Sequence, residues 1–360
     1  MTNDTMKAAR YYKRGDIRIE QIPIPKVKPG TVGIDVAFCG ICGSDLHEYV
    51  DGPIFIPPSG CPHPLSGECA PLTMGHEMSG TIYEVGEGIT DLKVGDKVVV
   101  EPYIIDDKVD TSSKNDAYHL SNNMSFIGLG GGGGGLSEKI VVKRRWVHPV
   151  GQDMPLDQAA LIEPLSVGYH AFKRSGGKKG DFALITGAGP IGLLTAAILK
   201  AEGITVAMSE PSPLRRQKAT ETGVAAHVWD PRSTDIAAEV RKLTNGVGAD
   251  IAFECTSVQP AFDTLIDAIK PTGVLVVVSI WGHPASLNMG KLVLKEIDIR
   301  GTIAYVNSHP QTIKLVQEGK VDLAPFITGV IGLDNLVSEG FDTLIHRNET
   351  AVKILVNPRL

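Results

Sequence analysis

Apolar positions along this chain follow two rhythms, and the change falls near residue 156. Before it they alternate with polar ones in short runs. In residues 31–38, Val32, Ile34, Val36 and Phe38 alternate with Thr31, Gly33, Asp35 and Ala37, the period of two of a half-buried strand. Residues 7–12, 16–22, 78–85, 97–100 and 136–142 also read as strands, separated by Gly-rich acidic turns at Gly86-Glu87-Gly88 and Gly95-Asp96. The first region is therefore mainly β, a barrel-like domain.

After residue 156 strands and helices alternate. Phe182–Thr186 reads as a strand, Pro190–Ala201 as a helix, Thr205–Ser209 as a strand and residues 213–222 as a helix. The alternation continues through 226–229, 234–243, 250–253, 260–269 and 274–279, which predicts βαβ units and a parallel sheet. Val274-Leu275-Val276-Val277-Val278 is continuously apolar, as a sheet covered on both faces requires. After about residue 300 the rhythm loosens, and 351–356 reads as a closing strand. Residues 103–135 carry little periodicity and end in six glycines, Gly130 to Gly135. Two readings compete for that run, a flexible linker and a backbone-dense turn.

Composition narrows the function. At 360 residues two domains are the default. A net charge of −6 argues against a nucleic-acid partner, which asks for a basic patch. Residues 1–10 are polar, with no apolar segment of a signal peptide. Residues 182–199 lack charge, but Gly187, Gly189, Pro190 and Gly192 break them into strand, turn and helix, so no membrane partner is expected. Five cysteines, an odd number, point to free thiols or metal ligands in a cytoplasmic protein.

Two stretches carry chemistry. Gly187-Ala188-Gly189-Pro190-Ile191-Gly192 matches G-x-G-x-x-G between a strand and a helix, the setting in which it binds a dinucleotide pyrophosphate. Glu210 ends the next strand, placed to accept the adenosine-ribose hydroxyls and to favour NAD over NADP. Arg215 is either a ribose or adenine contact or an exposed helix residue. The second stretch is Cys39-Gly40-Ile41-Cys42-Gly43-Ser44-Asp45-Leu46-His47, which Gly75-His76-Glu77 and Glu163-Pro164 extend with an imidazole and two carboxylates. A structural four-cysteine site would need Cys61 and Cys69, whose spacing is not that of a zinc knuckle. An open site of Cys42, His76 and a carboxylate is the alternative.

These motifs, with Gly80, Val85-Gly86, Val94-Gly95-Asp96-Lys97-Val98 and Glu163-Pro164-Leu165-Ser166, occur in an order that resembles the zinc-dependent medium-chain alcohol and polyol dehydrogenases. Glu77 and Glu163 near the metal resemble the sorbitol dehydrogenase branch. The resemblance implies an α/β protein. A GroES-like β-barrel catalytic domain (1–157, with 300–360) would join a Rossmann doubly wound parallel-sheet domain (158–299), with the active site in the cleft between them.

The resemblance makes Cys42, not Cys39, the thiolate ligand and His76 the imidazole ligand. Glu77 and Glu163 would complete the coordination, and Asp45 would orient His76. Ser44 would take the substrate proton and pass it through the cofactor ribose and His47, or solvent. Backbone near residues 255–257 and 279–281, with Cys255, Ser279 and Trp281, would hold the nicotinamide of NAD. Tyr49, Phe55, Ile56 and Trp281 would form a compact apolar wall suited to a four-carbon vicinal diol. The expected reaction takes (R,R)-butane-2,3-diol to the hydroxyketone acetoin, and a sorbitol/xylitol-type or threonine dehydrogenase is the alternative. A non-catalytic protein on the same fold would have lost Cys42, His76 or Ser44. Many members hold a second, structural zinc with four closely spaced cysteines before the glycine run. Residues 70–254 contain no cysteine, so one zinc per chain is expected. The family also implies a homodimer or homotetramer, joined near residues 297–303.

Overall fold

The structure, a computed structural model, describes residues 4–111, 115–348 and 351–360; the polar stretch 1–10 and the aperiodic stretch 103–135 lie partly outside the described residues. The chain forms two compact units, Met1–Glu163 with Leu323–Leu360, and Pro164–Asp322. The second division lies later than the expected 299/300. Helix His309–Gln317 belongs with the second unit, where buried Thr312 pairs with buried Ser166 at 3.0 Å.

In the first unit, strand Thr31–Gly40 pairs antiparallel with Glu77–Val85, Lys139–Lys143 and the closing strand Lys353–Asn357. This register positions the chemistry. Gly40 stands opposite Glu77 on one side and Leu355 on the other, so the strand's end, Glu77 and the start of the last strand share one spot. A Cβ on Gly40 would overlap the Glu77 carboxylate and push that ion-paired side chain from its place.

Gly130 to Gly135 form a backbone-dense turn. Gly131, Gly132 and Gly133 take φ of 110°, 73° and 80°, the region that favours glycine. A Cβ on Gly134 would overlap the Met74 carbonyl, and one on Gly135 would lie 2.8 Å from Cys39 Sγ. The turn also delays the strand expected at 136–142. Leu136 N–H donates to Met74 O and Ser137 Oγ to Gly134 O, and pairing with Thr31–Gly40 begins at Lys139.

The second unit is a six-stranded parallel sheet. Its edge-to-edge order is His227–Trp229, Thr205–Ser209, Phe182–Thr186, Ala249–Glu254, Ile269–Val277 and Asp298–Gly301. Chain order reverses between Phe182–Thr186 and Ala249–Glu254, and ligands of such sheets bind beyond the carboxyl ends of the strands at that point. Leu184, Ala252 and Leu275 from adjacent strands pack with Phe262 and Leu265 of helix Gln259–Ala268. Among the described residues no helix is long and apolar enough to cross a membrane.

Candidate active site

The first unit's chemistry begins where strand Thr31–Gly40 ends and helix Gly43–Asp51 starts, with Cys42 as the residue before the first turn. Asp45 Oδ2 accepts the Cys42 N–H at 2.9 Å, an acid in the first turn satisfying a backbone donor and the helix dipole together. Its other oxygen faces His76 Nδ1 at 3.7 Å, and neither atom has a hydrogen-bond partner among the described residues. The other imidazole nitrogen, Nε2, lies 3.2 Å from Ser44 Oγ. Glu163 is buried in the first turn of helix Ile162–Ser175.

Burial works against a charge on His76, yet Asp45, Cys42 and Glu163 outweigh it and hold the imidazole well above its ordinary pKa. Burial in turn raises the Asp45 carboxyl, against the pull of His76 and the Cys42 N–H. This cluster therefore favours positive charge at its centre. A thiolate, an imidazole and a carboxylate are donors that zinc takes. Cys42 and Glu163 act on the His76 imidazole electrostatically, although among the described residues no three His, Cys, Asp or Glu side chains form a ready-made ligand cage.

Glu77, expected among the ligands, is committed elsewhere. Both its oxygens accept from Lys353 Nζ at 2.7 Å, and Lys353 also donates to the Ile41 carbonyl at 3.1 Å. Both side chains are buried, and burial opposes the Lys353 charge while Glu77, Cys42 and Glu163 raise its pKa. The pair forms a neutralised layer behind Cys42. Lys353 is a residue of this cluster that reading the motifs missed, and its signal was a lone cation in an apolar closing strand.

Of the expected substrate wall, Phe55 is exposed, and Tyr49 packs edge-on against Phe341 with centroids 5.3 Å apart. Ile56 is not on that wall. It is 1% exposed, because the segment turns its side chain into the core while Ile54 and Phe55 face outward. His47 is exposed, with Nδ1 3.8 Å from Asp51 Oδ2.

In the second unit, Gly187 takes φ of 90° and Pro190 opens helix Pro190–Ala201, followed by Ile191 and Gly192. A Cβ on Gly192 would overlap the Gly187 carbonyl, which explains the motif's last glycine. The Glu210 carboxylate bridges to this loop, accepting from Ala188 N–H and Ser212 N–H at 2.8 Å each. Arg215 is half-buried in helix Pro213–Glu221.

Trp281 and Ser279 are organised by a residue not singled out beforehand. Glu254, fully buried at the end of strand Ala249–Glu254, accepts from Thr256 N–H and Oγ1, Ser257 N–H, Ser279 Oγ and Trp281 Nε1. One carboxylate thus ties together both loops expected to hold the nicotinamide. Burial and Glu254 push the Cys255 thiol far up, so it stays protonated.

A β unit that carries Cys42 and His76, joined in one chain to a dinucleotide-type parallel sheet, has the make-up of a medium-chain zinc-dependent alcohol dehydrogenase. The chain belongs to the zinc-binding dehydrogenase family: residues 28–152 match the alcohol dehydrogenase GroES-like domain and 190–318 the zinc-binding dehydrogenase domain. It is 66% identical to (R,R)-butanediol dehydrogenase of Neisseria gonorrhoeae, over 99% of this chain and 100% of that one. The crystal structure of 2R,3R-butanediol dehydrogenase from Bacillus subtilis superposes with a TM-score of 0.92 at 45% identity, covering 98% of this chain and 99% of that one. Sorbitol dehydrogenase of Bacillus subtilis is 32% identical over 98% of this chain and 97% of its own.

Proposed function

We propose that this enzyme oxidises (R,R)-butane-2,3-diol to acetoin with NAD and runs the reverse reduction, with one zinc per chain held by Cys42, His76 and Glu163. The full-length likeness to (R,R)-butanediol dehydrogenases carries the substrate assignment. Bound there, zinc supplies Lewis acidity toward the substrate hydroxyl, and NAD supplies the hydride acceptor.

The chain's own groups handle the proton. Ser44 Oγ, 3.2 Å from His76 Nε2, accepts the hydroxyl proton as it gives up its own toward His47 and solvent. Exposed His47, three residues along the same helix, returns it to solvent. Asp45, facing Nδ1, fixes the tautomer that leaves Nε2 to bind metal. Glu77 and Lys353 cancel each other behind the ligands. In the second unit Glu254 sets the loops that receive the nicotinamide, and the charge of Glu210 at the glycine loop disfavours a 2′-phosphate. Replacing Glu210 by Ser is expected to raise the NADP-to-NAD ratio of kcat/KM by about tenfold or more. An unchanged ratio in steady-state assays with both cofactors would show that Glu210 does not select NAD.

An oligomer fits the same reading. Helix Met289–Lys295 has no buried residue, and Met289, Val293 and Leu294 are exposed beside the edge strand Asp298–Gly301. An apolar face next to an unprotected sheet edge supports a homodimer or homotetramer joined there. All five cysteines are unpaired, which supports a reducing, cytoplasmic setting. The reaction is tested by reducing acetoin with NADH and resolving the diols by chiral chromatography. The new carbinol centre should be R, and an S product would refute the assignment.

A further inference from the structure

We infer that Glu48 is a positioning residue for substrate specificity, holding the segment Ile54–Phe55–Ile56 at a fixed place relative to the relay hydroxyl of Ser44. The inference rests on the proposed alcohol oxidation and deepens it. Glu48 lies in the last turn of helix Gly43–Asp51, whose first turn carries Ser44, and its side chain is 0% exposed. Four residues apart, Ser44 and Glu48 lie on one helix face, about 6 Å apart along the axis.

Three consecutive backbone N–H groups converge on the Glu48 carboxylate. Ile54 N–H lies 3.1 Å from both oxygens, Ile56 N–H donates to Oε1 at 3.0 Å, and Phe55 N–H donates to Oε1 between them. Successive amides aimed at one spot form an anion nest. Here the anion is a side chain of the relay helix itself. Gly52, which turns the chain between helix and nest, leaves room for Glu48. A Cβ there would lie 2.7 Å from Glu48 Oε2 and 2.6 Å from the Tyr11 hydroxyl. That hydroxyl is buried with no hydrogen-bond partner among the described residues, and burial with the Glu48 charge pushes its pKa up to about 12.

The nest has a consequence for the side chains it orders. With the three amides turned toward Glu48, Ile56 anchors in the core while Ile54 and Phe55 stand outward, 52% and 40% exposed. Two outward apolar groups, held by a carboxylate that itself lies one helical turn from Ser44, suit the methyl carbon of a small secondary alcohol. They leave the hydroxymethyl groups of a longer polyol without polar partners.

Three variants test this: Glu48→Gln, Glu48→Asp and Phe55→Ala. Gln keeps the size of Glu48 but replaces one acceptor oxygen by a donor. Glu48→Gln should raise KM for the diol about tenfold or more, with kcat within about threefold, KM for NAD within about twofold and zinc content unchanged. Glu48→Asp should recover part of the loss, and Phe55→Ala, which leaves the nest intact, should reproduce the rise in KM. A merely structural Glu48 predicts something else, a lower melting temperature and less active protein with KM unchanged, and that result overturns the inference. If Glu48→Gln does not fold, Phe55→Ala decides alone, and a wild-type KM in that variant overturns it. A wild type that prefers another secondary alcohol refutes the proposed substrate. The KM ratio measured with that preferred alcohol still decides the role of Glu48.

Discussion

Replacing Cys42 by Ser is expected to abolish both zinc binding and activity, while Cys39→Ser keeps both. The two cysteines are three residues apart, and their surroundings separate them. Cys39 is fully buried, its Sγ facing the Gly40 carbonyl at 3.6 Å and packed beneath Gly75 and Gly135. Burial first, then Asp45 and Glu77, push its thiol well above the ordinary range, so it cannot offer a thiolate. Cys42 stands at the helix start, only half-buried, and is among the groups that raise the His76 pKa. A protein-bound metal supplies several kcal/mol of charge stabilisation in the transition state. Losing its ligand should therefore lower kcat/KM by on the order of 10³-fold or more. Elemental analysis should find close to one zinc per chain in the wild type and Cys39→Ser, and little in Cys42→Ser. Retention of zinc by Cys42→Ser, or about two per wild-type chain, would contradict the ligand assignment.

Lys353→Met is expected to destabilise the protein by about 3–5 kcal/mol, because it strands the Glu77 carboxylate in a buried site with the ammonium that pairs with it removed. In thermal unfolding this corresponds to a fall of roughly 10 °C in Tm. The double variant Glu77→Gln with Lys353→Met should recover most of the loss, since the cost arises from the unpaired charge and not from the missing pair. A single variant as stable as the wild type would mean that water or another group already screens Glu77.

These two expectations mark what a linear reading reaches. The parallel sheet was legible because each strand is a short apolar run between helical patterns, and Phe182–Thr186, Pro190–Ala201 and Thr205–Ser209 form as expected. Cys42, His76 and Asp45 were legible as a family pattern, and pairing of strands Thr31–Gly40 and Glu77–Val85 brings the helix that carries Asp45 beside His76. The glycine run was not, because linker and tight turn use the same residue, and only distant Met74 and Cys39 distinguish them. Glu77 looked like a ligand beside His76, since its partner Lys353 lies 276 residues away and meets it only through strand pairing. Ile56 was misread because an apolar loop residue faces a pocket or the core according to backbone direction, which composition does not encode. Glu48 and Glu254 bond mainly to backbone amides and neighbouring hydroxyls, partners that no motif marks.

The most direct measurement is the initial rate of NADH formation by the purified zinc-loaded enzyme with (R,R)-butane-2,3-diol, its (S,S) isomer and sorbitol. The highest kcat/KM is expected for the (R,R) diol, by about tenfold or more over the other two. Equal rates with the (S,S) isomer, or a preference for sorbitol, would contradict the assignment.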